Sequence, residues 1–292
     1  MQLKLDYDSG EIKSKLDIAI QRYKTFEPEE GYYLAFSGGK DSIVIYEIAK
    51  MSGVKFDAHY NWTTVDPPEL LYFIKKNYPE VTIHKPELSM WQLIEKKMIP
   101  PTRIARYCCS ELKEKGGIGR FVVTGVRHAE SSARSKRKDV EYDAYGSQSK
   151  KAKADREKFN LMNDNDEKRR MIEHCQIKGK NILNPIIDWE DKEVWQFIKS
   201  NNLKYCGLYD EGWSRIGCIG CPMAKKREKI KEFKRYPKHY INYIKAFDRM
   251  IKQRHLKERE TQWKNGREVM KWWLELSDRE FEEMDKGIRS RV

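Results

Sequence analysis

The chain has 292 residues, 39% hydrophobic and 12% aromatic, which is enough apolar material for one or two packed domains and too much for a disordered coil. Lys and Arg number 58 against 45 Asp and Glu, a formal charge of +13 with a pI of about 9.2, and this points to a polyanionic partner or substrate. No apolar run reaches the roughly 18 residues that span a bilayer, and Met1 to Glu11 carries acids where a signal peptide carries an apolar stretch, so a cytoplasmic protein with no membrane partner is expected.

Residues 11–30 read as a helix, with Ile12, Leu16, Ile20 and Tyr23 at helical spacing and an end near Pro28. Tyr32-Tyr33-Leu34-Ala35-Phe36 is a short apolar run that stops at Ser37-Gly38-Gly39, after which Ile43, Val44, Ile45, Ile48 and Ala49 recur as on a helix. The same alternation continues through strands at Lys55–Asn61, Val81–His84 and Phe121–Gly125 and helices at Pro68–Asn77 and Trp91–Lys97. Strands alternating with helices predict an α/β fold, a doubly wound parallel sheet covered on both faces.

From about 135 to 180 the pattern fails. Arg134 to Lys180 holds 14 basic and 9 acidic residues and few large apolar ones, consistent with a solvated insertion or with a flap that contacts nucleic acid or covers a site. Asn181–Ile187 restores a strand, and Asp191–Asn201 reads as a helix with Val194, Trp195 and Ile198 inward. Pro222 to Val292 holds 21 basic and 12 acidic residues, with Ile230, Phe233, Tyr240, Ile241, Ile244, Phe247 and Ile251 at helical intervals and Trp263, Trp272 and Trp273 beyond. This predicts a basic helical C-terminal module, whose aromatics either dock it onto the sheet domain or serve a polyanion. The expected organisation is an N-terminal helix (1–30), a central domain (31–224) with the charged insertion, and the helical module (225–292).

Ser37-Gly38-Gly39-Lys40-Asp41-Ser42 lies where a strand hands over to a helix, the place where α/β sheets bind ligands. Its glycines let the backbone approach an anion, the helix N-terminus favours negative charge, and Ser37, Lys40 and Ser42 add donors. The spacing matches neither the Walker-type phosphate loop nor G-x-G-x-x-G. Six cysteines, two adjacent (Cys108, Cys109) and two in C-x-x-C spacing (Cys218, Cys221), look like metal or redox ligands rather than a secreted disulfide framework. Four thiolates fit a [4Fe–4S] cluster or a Zn(Cys)4 site. Cys175 and Cys206 remain, either as inert buried thiols or as persulfide carriers, and Cys175 is open to replacing one of the adjacent pair.

The Ser37–Ser42 loop resembles the pyrophosphate loop of adenine-nucleotide α-hydrolase-like enzymes. Arg106-Tyr107-Cys108-Cys109-Ser110-Glu111-Leu112-Lys113, Gly125 to Arg134 (GVRHAESSAR), Asn184-Pro185-Ile186-Ile187-Asp188-Trp189, and Leu208 to Gly212 with Arg215 to Pro222 resemble, in order, segments of the phosphoadenosine-phosphosulfate reductase family. The resemblance covers about residues 30–224. It implies ATP or a sulfonucleotide with its phosphates on Ser37, Gly38, Gly39, Lys40, Asp41 and Ser42, flanked by Gly125 and Glu130. It further implies Arg127, Arg134 and Arg215 on phosphate or sulfate oxygens, Mg²⁺ assisted by Asp41, and a [4Fe–4S] cluster on Cys108, Cys109, Cys218 and Cys221, since adjacent paired cysteines are what the cluster-bearing reductases show. Lys113 and Lys115 would offset the cluster's charge, and Asp188 is equally consistent with a structural role. Assimilatory reductases carry a C-terminal E-C-G-[IL]-H nucleophile, and no cysteine follows Cys221 here. A nucleotide loop and cluster with a basic module is similar to the ATP pyrophosphatases of DNA phosphorothioation. Three functions are therefore expected in order: ATP-dependent sulfur transfer to nucleic acid with a cysteine desulfurase as donor, sulfonucleotide reduction with a thioredoxin-like donor, and non-catalytic nucleotide or nucleic-acid binding.

Overall fold

The computed structural model describes residues 10–132, 134–141 and 181–291. Most of the charged insertion and Cys175 lie outside the described residues, as do residues 1–9. Among the described residues the chain forms two compact units, the first falling within residues 1–60, 72–83 and 116–211 and the second within 61–71, 84–115 and 212–292. No helix among the described residues is long and apolar enough to cross a membrane.

The elements of the sheet region are α1 (Gly10–Thr25), β1 (Tyr32–Ala35), α2 (Lys40–Ser52), β2 (Phe56–Asn61), α3 (Pro68–Asn77), β3 (Thr82–His84), β4 (Phe121–Val123), β5 (Val140–Glu141), β6 (Asn181–Leu183) and α6 (Asp191–Ser200). The six strands run in the order β3-β2-β1-β4-β6-β5. β1 is parallel to β2 and β4, β4 is parallel to β6, and β5 closes the edge antiparallel to β6. The sheet is thus the expected α/β, mostly parallel arrangement with helices against it. Its strand order turns back between β1 and β4, the switch point at whose carboxyl end such sheets form a crevice. The loops after β1 and after β4, which carry Ser37–Ser42 and Gly125–Arg127, flank that point.

Helix α2 is apolar nearly all round, with Ile43, Val44, Ile45, Ile48 and Ala49 buried, as a helix enclosed by neighbours must be. Helices α1 and α6 pack against it. Tyr23 of α1 donates its hydroxyl to the Ile45 carbonyl at 2.7 Å, and Tyr32 donates to the Tyr23 carbonyl at 2.8 Å, so these buried phenols have acceptors. The strand expected over Asn181–Ile187 ends at Leu183 because Pro185 has no N–H for a ladder. Asn184 instead binds the edge chain, its backbone N–H to the Asp139 carbonyl at 2.7 Å and its side-chain amide to the Lys138 carbonyl at 2.8 Å. β5 lies inside the segment that reads from sequence as an excursion.

In the second unit, α4 (Met90–Lys97), α5 (Tyr107–Leu112), α7 (Lys226–Arg235), α8 (Pro237–Leu256), α9 (Gly266–Trp273) and α10 (Asp278–Arg289) are all helical. Pro237 starts α8, where a missing N–H costs nothing. Tyr240, Tyr243, Ile244, Phe247, Met250 and Ile251 form its buried face against α4 and α9. Ser277 caps α10 in a capping box with Glu280. Helix α5, which carries the adjacent cysteines, has no apolar periodicity to announce it.

Candidate functional site

Strand β1 delivers the chain to Ser37, Gly38 turns it at φ +72°, and Gly39 stands as the N-cap of α2 with no side chain to satisfy the helix's first N–H groups. Those groups have no intrahelical acceptor and carry the positive end of the helix dipole. The loop is tied by its serines: Ser42 donates to the Gly39 carbonyl at 2.8 Å, and Ser37 Oγ lies 3.2 Å from Ser42 Oγ. Gly125, just past β4, abuts the start of α2 so closely that a Cβ there would meet Asp41 backbone atoms at 3.1 Å. The Lys40 N–H donates to the Tyr209 hydroxyl at 3.0 Å. Tyr209 stands at the end of a 3-10 turn (Gly207–Tyr209) that follows Cys206, and packs edge-on to Trp195 at 5.0 Å. Burial pushes the Tyr209 phenol well above its usual range, so it remains a neutral acceptor here.

Two cations converge on this loop. Lys40 and Arg127 are both buried, and each has carboxylate partners. Arg127 Nε lies 2.7 Å from Asp41 Oδ1, Nη2 lies 2.9 Å from Asp191 Oδ1, and Nη1 donates to the Trp189 carbonyl at 3.2 Å. Lys40 Nζ lies 3.4 Å from Asp41 and 3.2 Å from Asp191. Partial burial works against ionisation of Asp191, yet Lys40 and then Arg127 hold its carboxyl below the usual range. The structure therefore brings Ser37, Gly38, Gly39, Lys40, Asp41, Ser42, Gly125 and Arg127 together. Glu130 turns to its own segment, accepting the Arg127 N–H at 3.1 Å and pairing with Arg134. Arg215 is exposed and belongs to the second unit. Asp188 pairs with Arg22 of α1 at 2.9 Å, a bond between elements of the first unit's frame.

The cysteines Cys108, Cys109, Cys218 and Cys221 all belong to the second unit and are free thiols. Arg106 Nη2 reaches Cys109 Sγ at 3.3 Å. A hydrogen bond from Cys108, assisted by Arg106 and Lys113, brings the Cys109 thiol below its usual range. The same bond, burial, and the charges of Cys109, Cys218 and Cys221 push Cys108 up. Burial pushes Cys218 up to about 12 against the pull of Lys113. Its sulfur lies 3.5 Å from Thr63 Oγ1 and 3.8 Å from Asp66 Oδ1. Among the described residues no three His, Cys, Asp or Glu side chains converge closely enough to ligate one ion as they stand. The donor set nevertheless suits a thiolate-ligated metal: Cys108 lies in electrostatic reach of the other three sulfurs, with Arg106 and Lys113 close by.

The Cys218–Cys221 hairpin is clamped by packing. The Ile219 N–H donates to the Val65 carbonyl at 2.8 Å, Tyr243 Oη donates to the Ile219 carbonyl at 3.0 Å, and the Gly220 N–H donates to Glu232 Oε2 at 2.7 Å. Gly220 has φ +70°, and a Cβ there would meet Phe233 Cζ at 2.7 Å and Trp273 and Tyr243 at 3.1 Å. Trp273 and Phe233 thus spend their apolar area on the hairpin, whereas Trp272 is 44% exposed and lies against Trp263 at 5.1 Å.

Sequence reasoning misses Asp191, Tyr209, Thr63, Asp66, Glu232 and Tyr243 as parts of these sites. Asp191 reads only as an acid in a helix's first turn, where the dipole explains it. Tyr209 sits within Leu208–Gly212, but a Tyr in a turn carries no signature of its partner.

The phosphoadenosine phosphosulfate reductase domain model matches residues 31–224. The chain is 28% identical over 249 residues to an uncharacterized protein of Methanocaldococcus jannaschii, covering 81% of this chain and 53% of that protein, so it spans about half that relative's length. It is 26% identical over 233 residues to an adenosine 5'-phosphosulfate reductase of Staphylococcus epidermidis, covering 73% of this chain and 78% of the relative. Among solved structures, it is similar to a phosphoadenylyl-sulfate reductase from Candida auris in a phosphate complex, with 16% identity, 73% and 96% coverage of the two chains, and a TM-score of 0.45.

Proposed function

Because this chain belongs to the phosphoadenosine phosphosulfate reductase domain family, we propose that its Ser37–Ser42 loop binds ATP and that the enzyme cleaves it to AMP and pyrophosphate to activate a nucleic-acid phosphate for sulfur insertion. The observation that carries this reading is the pair of buried cations, Lys40 and Arg127, at the N-terminus of α2 on the sheet's switch point. A non-bridging phosphate oxygen attacks the α-phosphorus, an O–P bond forms, and the bond to pyrophosphate breaks. The outer sulfur of a persulfide delivered by a cysteine desulfurase then attacks the activated phosphorus and AMP leaves, after which a thiol reductant cleaves the remaining S–S bond to leave the phosphorothioate and a disulfide. Lys40 offsets charge developing on the pyrophosphate, and Asp41 would help hold a Mg²⁺, which would supply further neutralisation of phosphate charge. Cys108, Cys109, Cys218 and Cys221 would hold a [4Fe–4S] cluster, which supplies electron-transfer chemistry.

The nucleic acid is suggested by the surplus of basic residues after Pro222, with Arg227, Lys231, Lys234, Lys238, Lys245 and Lys252 exposed on α7 and α8. A second reading, sulfonucleotide reduction to sulfite, is favoured by the name of the Staphylococcus relative. The deciding experiment is pyrophosphate release from ATP by anaerobically purified full-length chain, with and without DNA and RNA. Stimulation by nucleic acid supports the proposal. Sulfite from a sulfonucleotide, with no pyrophosphate under any condition, moves the assignment to reduction.

A further inference from the structure

Asp191 Oδ1 binds Arg127 Nη2 at 2.9 Å and Lys40 Nζ at 3.2 Å, so one carboxylate oxygen holds both cations that a phosphate on this loop would use. We propose that Asp191 is a built-in competitor for the nucleotide's phosphates, which must displace its carboxylate to reach Lys40 and Arg127. The inference rests on the reading that this loop binds an adenine nucleotide, and it adds the residue that limits how tightly.

The geometry decides which partner yields. The Asp191 side chain is 61% exposed, while those of Lys40 and Arg127 are 8% and 2% exposed. A carboxylate at the solvent edge can rotate into water at small cost, whereas a buried guanidinium or ammonium cannot follow it without losing its other partners. Arg127 keeps Asp41 Oδ1 at 2.7 Å and the Trp189 carbonyl at 3.2 Å, so its fork stays in place when Asp191 leaves. Lys40 stays within 3.4 Å of Asp41. With both carboxylates in place the constellation is balanced, two cations against two anions. Removing Asp191 leaves one net positive charge for an incoming phosphate. Asp191 is also the first residue of α6, where the helix dipole favours a carboxylate but does not require contact with Lys40.

The test is equilibrium binding of ATP and of adenosine to the full-length chain, as wild type, Asp191→Asn, Asp191→Ala and Lys40→Ala, each with and without Mg²⁺. Both Asp191 variants are expected to bind ATP more tightly by about fivefold, the upper end for a pair with one exposed partner, with or without Mg²⁺. Adenosine, which carries no phosphate, is expected to bind all Asp191 variants as it binds wild type, a readout that a general rearrangement of α6 would move. Weaker ATP binding in Asp191→Asn confined to Mg²⁺ would make the residue a metal ligand and overturn the proposal. Unchanged ATP affinity would make it a spectator and overturn it equally. If Lys40→Ala binds ATP as wild type does, the nucleotide reading of the loop itself fails, an outcome separate from the behaviour of Asp191.

Discussion

At the phosphate loop each buried cation has carboxylates beside it, Asp41 and Asp191 serving both Lys40 and Arg127. Around the cysteines the balance differs. Burial holds Cys218 protonated, Arg106 and Lys113 stand close by, and the hairpin is kept in place by aromatic packing and by hydrogen bonds between its backbone and Val65, Tyr243 and Glu232. One region is organised by exchangeable charge and the other by shape. Perturbing the first should therefore change ligand binding with little effect on stability, and perturbing the second should change stability first.

The largest effect is expected from Lys40→Ala, which should lower ATP-dependent pyrophosphate release by about 100-fold or more while the melting temperature moves little. A large loss of melting temperature together with activity would erase the contrast, because the loop would then be part of the frame. Gly220→Ala should destabilise by about 2–4 kcal/mol in urea unfolding, since the side chain is strained at this φ and meets the Phe233 ring. Iron bound after anaerobic reconstitution should fall with it. Wild-type stability in this variant would show that the aromatic box does not clamp the hairpin.

Glu232 sharpens the comparison through pH. Burial pushes its carboxyl up from 4.5 to about 7, with the Gly220 N–H only partly opposing. The folded state therefore holds a proton that the unfolded chain has released, and stability falls as pH rises through that window. In Glu232→Gln this loss disappears, so the variant's melting temperature relative to wild type should rise between about pH 4.5 and pH 7 and level off above. A pH-independent difference would place the carboxylate in water. The smallest effect is expected for Tyr243→Phe, which removes the bond to the Ile219 carbonyl and should cost about 1 kcal/mol. A cost near zero in thermal unfolding would assign the hairpin's position to packing alone.

Much of the first unit can be read along the chain because its signals are local. The β1-loop-α2 handover needs only an apolar run, two glycines and a helical period, and the structure ends and starts its elements within a residue or two of that reading. The chain also reads as helical where α7 to α10 stand. It does not show α5, whose six residues bury only Cys108 and Leu112, or β5, a two-residue edge strand that exists because Asn184 and β6 pair with it. Trp272 and Trp273 are neighbours of one type in sequence, yet the first is exposed and the second buried, since the rotation of α9 assigns them to different faces.

The sequence by itself determined the alternation of strands and helices, the Gly-rich turn and the family resemblance, since each depends on residue type and short-range spacing. Only the tertiary structure decided that Arg127 is buried against Asp41, that Asp191 shares both cations, that the Lys40 N–H meets Tyr209, and that Glu232 and Tyr243 hold the cysteine hairpin. Each of these contacts joins residues far apart in the chain. Its energy comes from burial and charge proximity, which no local pattern encodes.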